Sequence, residues 1–159
     1  YERPDDTVRV SVLVHADGAA SFRLFTEETD AWWKRGARFR IAGSTHGTLH
    51  LEPHVNGRLF ESFDTGGVTR VVRTGRVRKW EPPTRLAFEW RAVQCAANEV
   101  TEVEVTFEPS AAATCVTLTH RGWSALAPDH PARRDLGPMR VFWDELMTSL
   151  SELALRSTP

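Results

Sequence analysis

Residues Gly137 to Leu155 read GPMRVFWDELMTSLSELAL. Met139, Phe142, Trp143, Leu146, Leu150 and Leu153 recur there at steps of three and four, which gathers them on one stripe of a helix. Asp144, Glu145, Ser149 and Glu152 fall mostly off that stripe. Pro138 suits a first turn, where its missing N–H is not needed, so the spacing predicts a helix starting there. At about 1.5 Å per residue such a helix is roughly 27 Å long, enough to lie across a whole sheet. A bulky apolar face of that length needs a concave partner.

The preceding chain supplies candidate strands. In Thr7 to His15, Val8, Val10, Val12 and Val14 alternate with polar residues and Leu13, the two-residue period of a half-buried strand. Asp17 is placed to cap a short helix carrying Phe22, Leu24 and Phe25, and Thr29 a second one carrying Trp32 and Trp33. The paired tryptophans can point apart, one to the core and one toward a pocket mouth. Gly36 to Gly47 reads as a loop with Phe39 and Ile41 as anchors. Strands follow at Thr48 to His54 and Arg58 to Phe63, joined by Asn56-Gly57, and then at Val68 to Trp80. Gly75 inside the long strand signals a bulge or a close backbone approach. Three more strands carry Leu86, Phe88 and Trp90, then Val103, Val105 and Phe107, then Val116, Leu118 and His120.

The expected order is therefore β-α-α-β-β-β-β-β-β-α in one domain spanning residues 1–159: an α+β fold whose curved antiparallel sheet of about seven strands grips the C-terminal helix. The length suits a single core, so neither metal nor disulfide is required for stability. Formal net charge is -1, which offers no basic excess for nucleic acid or an anionic membrane. Cys95 and Cys115 lack CxxC spacing, and no apolar run has membrane length, so a cytoplasmic setting without membrane insertion is expected. Open sheet edges allow a homodimer.

Several residue types invite chemistry. His46, His50 and His54 are four apart, but along a strand that spacing is about 13 Å, too far for His50 and His54 to share an ion, so no metal site is expected. His50 and Glu52 share a strand face and could pair there. Alternation turns His120 inward, either as a satisfied core histidine or as an acid, base or hydrogen-bonding group toward a ligand. Arg73 shares the predicted face of Val71 and Val77, an inward charge that Glu61 could neutralise across the hairpin. No GxSxG, GxGxxG or P-loop pattern occurs, and no cofactor is implied.

The segments TDAWW, GRVRKWEPPTRLAFEW, TEVEVTFEP and TLTHRGW, in this element order, resemble the SRPBCC superfamily, with its START-like or helix-grip fold. Within it the chain is similar to the branch named for the activator of heat-shock-protein ATPase homologues, from about Val8 to Leu155. Members of that branch often carry Gly-Trp where this chain has Phe142-Trp143. The resemblance implies a bacterial single-domain protein with a hydrophobic cavity between sheet and final helix. The expected ligand is a small hydrophobic or aromatic molecule. Trp33, Phe60, Phe88, Trp90, Leu118, Phe142, Trp143 and Leu146 are expected as the cavity walls. Arg73 and His120 are the expected polar fixtures. Two alternatives stand beside ligand binding: a cofactor-free cyclase or dehydratase using His120, and a chaperone co-factor with a filled core.

Overall fold

A computed structural model describes residues 6–41, 47–91, 96, 99–131, 133 and 136–157. Strand β1 (Thr7–Val14) is followed by helices α1 (Gly18–Glu27) and α2 (Thr29–Trp32). Strands β2 (Gly47–Leu51), β3 (Arg58–Thr65), β4 (Val68–Glu81), β5 (Arg85–Trp90), β6 (Thr101–Ser110) and β7 (Ala113–Arg121) come next. A 3-10 turn at Trp123–Ala125 leads toward helix α3 (Leu136–Ser157). The strands form one antiparallel sheet in the order β1-β7-β6-β5-β4-β3-β2, so α1 and α2 carry the chain from one edge to the other. This is the α+β helix-grip arrangement expected.

Local chemistry explains the junctions. Asp17 caps α1, its carboxylate accepting the Ala20 N–H over 2.7 Å. Thr29 does not cap α2 as expected. It is the first helical residue, and its hydroxyl donates back to the carbonyls of Phe25 and Thr26, tying the two helices together. Gly66 and Gly67 join β3 to β4, both in the left-handed region at φ 56 and 80, where a side chain would be strained. Helix α3 begins two residues before Pro138, which still lies in the first turn, where amide donors have no partner inside the helix.

The apolar stripe of α3 meets the sheet as its spacing requires. Trp143, Leu146, Met147 and Leu150 are fully buried against Val8, Val105 and Leu118 of the same core, while Met139, Phe142 and Leu153 flank it. The Ser151 hydroxyl donates to the Leu13 carbonyl at 2.8 Å, docking the helix on the β1 edge. The other sheet face is solvated. There Glu102 and Glu104 alternate with the guanidinium groups of Arg121 and Arg85 at 3.2–3.5 Å.

β4 departs from the expected alternation. Leu59 pairs with Gly75 but Phe60 pairs with Arg73, so Thr74 is an extra residue on the β4 side. A second irregularity follows between Val77 and Lys79. Val71 is consequently exposed and Val77 buried, although simple alternation puts them on one face. Gly75 sits where the strands press together: a Cβ there would run into the Glu89 carbonyl oxygen. Such a bulge bends the strand that carries it.

Candidate functional site

Where the curled end of the sheet diverges from α3, a cavity of about 600 Å³ remains. Its aromatic surfaces are Trp33, Phe39, Trp90 and Phe142, with Leu49, Leu59 and Met139 between them. Trp33 and Trp90 lie nearly parallel, 16° apart with ring centroids at 6.1 Å, and Phe142 meets both edge-on at about 6 Å. Trp33 is held by its indole N–H, which donates to the Phe39 carbonyl at 2.9 Å. Phe39 in turn stacks on Phe142. Its partner Trp32 is completely buried and donates to the Phe25 carbonyl, so both tryptophans pack and only Trp33 borders the cavity.

The loop that carries Phe39 is organised by one buried cation. Arg40 donates to the Lys34 and Trp33 carbonyls, to the Asp30 carbonyl, and to the Asp30 carboxylate at 2.6 Å. Burial works against a charged Asp30, yet the Leu49 N–H and the Arg40 guanidinium outweigh it and hold this carboxyl below the usual range. Arg38 lies over the Phe39 ring and pairs with Glu145 of α3 at 3.1 Å. The Glu61 carboxyl, nearly fully buried, reaches the cavity from β3 and accepts the Ile41 N–H at 2.8 Å. Thr74 at the bulge and Arg91 just beyond β5 complete the polar lining, and Arg91 N–H donates to the Thr74 carbonyl at 2.7 Å.

The sequence-predicted residues divide into three groups. Trp33, Trp90 and Phe142 border the cavity. Phe88, Leu118, His120, Trp143 and Leu146 are sealed in the core behind it, each at most 1% exposed. Phe60 and Arg73 face away. Alternation with buried Leu59 and Glu61 turns Phe60 to the outer surface, where its ring stacks on His50. Arg73 is the cross-strand partner of Phe60 and shares that outer face, so the bulge at Thr74 separates it from Glu61. The expected Arg73–Glu61 neutralisation therefore does not form.

His120 points inward as expected, but it is closed off. Trp143 Nε1–H donates to His120 Nδ1 at 3.0 Å, which leaves the proton on Nε2. That proton faces Thr101 Oγ1 at 2.6 Å, and the Thr101 hydroxyl donates onward to the Trp90 carbonyl at 3.3 Å. Desolvation lowers the imidazole pKa to about 3, so the ring is neutral at physiological pH. Trp123 covers one ring face, with centroids 4.2 Å apart. With both nitrogens engaged and no exposed surface, the imidazole has no path to a ligand atom.

The second strand ends at Leu51 rather than at His54 as expected, so of the three histidines only His50 is described within a strand. His50 stacks on Phe60, His54 bonds the Val55 carbonyl in the following turn, and His46 lies outside the described residues. Glu52 takes Arg58 rather than His50. Among the described residues no three His, Cys, Asp or Glu side chains are grouped to hold a metal. Cys115 is a free thiol, and Cys95 is outside the described residues. Also among the described residues, no helix is long and apolar enough to cross a membrane.

Comparison with known proteins agrees with this architecture. The sequence profile of "Activator of Hsp90 ATPase homolog 1-like protein" matches residues 19–154. The chain belongs to this family. A comparison with curated proteins finds no significant match. Among solved structures, the crystal structure of protein MLL2253 from Mesorhizobium loti superposes with a TM-score of 0.68 at 18% identity, over 96% of this chain and 99% of that one. The Aha1 dimer from Colwellia psychrerythraea gives 0.60 at 16% identity, covering 92% and 93%. DynU16, a putative protein in the dynemicin biosynthetic locus, gives 0.63 at 22% identity, covering 97% of this chain and 48% of that one. At these identities the likenesses establish the Hsp90 ATPase activator homologue fold and nothing finer. Within the family frame, Phe142-Trp143 places one ring at the cavity and the next in the core.

Proposed function

We propose that this chain binds a small hydrophobic or aromatic molecule in the cavity between the sheet and α3. The reading is carried by one observation: a cavity of about 600 Å³, walled by Trp33, Trp90 and Phe142, persists beside an otherwise close-packed core. That volume lies in the range of small-molecule sites, and aromatic walls with a few convergent polar groups are their usual lining. A filled-core interaction protein would need no such space. Cyclase-type chemistry through His120 gains no support from an imidazole whose two nitrogens are committed to Trp143 and Thr101.

Titration with 2-naphthol, read by quenching of tryptophan fluorescence and by native mass spectrometry, tests the reading. Saturable one-to-one binding is expected, weakened at least about tenfold by Phe142→Ala, which removes one aromatic wall. Absence of binding by any naphthalene-sized probe, with a clean apo mass from cell-purified protein, would overturn it.

A further inference from the structure

Among the described residues three arginines line the cavity, and their circumstances differ. Arg40 is fully occupied by Asp30 and by the carbonyls of Lys34 and Trp33. Arg38, largely in solvent at the rim, has Glu145. The Arg91 side chain is half-buried, and among the described residues no carboxylate lies within ion-pair distance of it and no acceptor bonds it. A partly buried guanidinium without a counter-charge is a poor resting place for a cation. A planar anion would satisfy it through two parallel N–H···O bonds.

The opposite polarity sits on the β3 side of the cavity. Glu61 is 4% exposed, and the Ile41 N–H is among the donors to its carboxyl. A ligand anion is turned away from this carboxylate and toward Arg91, while a ligand hydroxyl can donate to it. Between the two, Trp33, Trp90 and Phe142 form an aromatic wall against which a flat ring system can lie. A cationic ligand would be attracted by the rings and by Glu61, but it would share the cavity with Arg91, which, unlike Arg38 and Arg40, has no carboxylate partner among the described residues.

We infer that the cavity selects a planar aromatic acid bearing a hydroxyl group at its far end, with the acid at Arg91 and the hydroxyl at Glu61. This assignment rests on the ligand-binding reading above and deepens it. The test compares 6-hydroxy-2-naphthoate, 2-naphthoate, 2-naphthol and 2-naphthylmethylammonium by calorimetry on the intact chain. The hydroxy acid is expected to bind at least about tenfold tighter than the ammonium probe. Arg91→Gln is expected to weaken the two acids about tenfold more than it weakens 2-naphthol, with Arg91→Lys intermediate. Glu61→Gln should reduce the preference for 6-hydroxy-2-naphthoate over 2-naphthoate, with unchanged thermal unfolding certifying that each variant is folded. Equal or tighter binding of the ammonium probe, or an equal loss for acid and naphthol in Arg91→Gln, would overturn the charge assignment while leaving ligand binding intact. Failure of all four probes would overturn the binding reading itself.

Discussion

Trp143 of the C-terminal helix donates its indole N–H to Nδ1 of His120 on β7 over 3.0 Å, so the grip between helix and sheet includes a buried polar bond. The groups around this imidazole are Thr101, Trp90, Trp123 and Trp143, none of which titrates near neutral pH. Its pKa falls from 6.5 to about 3 because burial disfavours the charged ring. Between those values the unfolded chain binds the proton and the folded one does not. The stabilisation is therefore complete above pH 6.5 and is lost as pH falls toward 3. Unfolding free energy from urea titration is expected to drop by roughly 2–3 kcal/mol between pH 7 and pH 4.5 through this group. In His120→Gln that slope should flatten; an unchanged slope would assign the acid sensitivity elsewhere. Asp30, held below 3.8, loses its contribution only at lower pH, so the two windows are separable.

Thr101 joins His120 to the cavity wall, accepting the hydrogen bond from Nε2–H and donating to the Trp90 carbonyl. Thr101→Val keeps the shape and removes both bonds, leaving a buried N–H without a partner. A loss of about 1–3 kcal/mol is expected. Combining it with Trp143→Phe should give less than the sum of the two single losses, because both act on one imidazole. Strict additivity would show that the two bonds are independent.

Gly75 decides how far β4 can curl. Its close approach to the Glu89 carbonyl leaves no room for a methyl group, and the neighbouring Thr74 is the bulged residue that reaches the cavity. Gly75→Ala is expected to cost about 1–3 kcal/mol through overpacking. It should also weaken 2-naphthol binding, because any relief moves Thr74. Unchanged stability and binding together would mean that the strands separate there without strain.

The gripping helix and the strands were legible because burial imposes a period, and the stripe from Met139 to Leu153 and the valines of β1 carry theirs without interruption. His120 was correctly turned inward by the same rule. Its role depended on Trp143 and Thr101, which lie 23 and 19 residues away in the chain and have no local signature. Arg73 departs from alternation for a definable reason: Gly75 marks a bulge in the sequence, but only the pairing of Phe60 with Arg73 shows that Thr74 is the extra residue. Arg91 carries no periodic signal, because β5 ends at Trp90 and alternation stops applying one residue later. Phe39 and Arg40 lie in a loop with no period, positioned by hydrogen bonds rather than by a hydrophobic face.

That loop depends on Asp30, which binds Arg40 on one side and the Leu49 N–H of β2 on the other, both through Oδ1. Removing the charge strands a guanidinium whose side chain is 2% exposed, while the Asp30 side chain is itself 35% exposed and partly screened. Asp30→Asn is therefore expected to cost about 2–3 kcal/mol, less than breaking a fully buried pair. The larger effect should fall on the cavity. Without its anchor, Arg40 releases the Trp33 carbonyl, and the segment that sets Phe39 against Phe142 and holds the Trp33 indole loses its frame. Hydrogen exchange should rise at the Phe39 and Arg40 amides, which bond the Gly36 carbonyl, and 2-naphthol affinity should fall more than global stability predicts. If exchange stays local to Asp30 and binding is retained, the loop is held by its aromatic contacts and the Arg40 cluster is only a stabilising ornament of the fold.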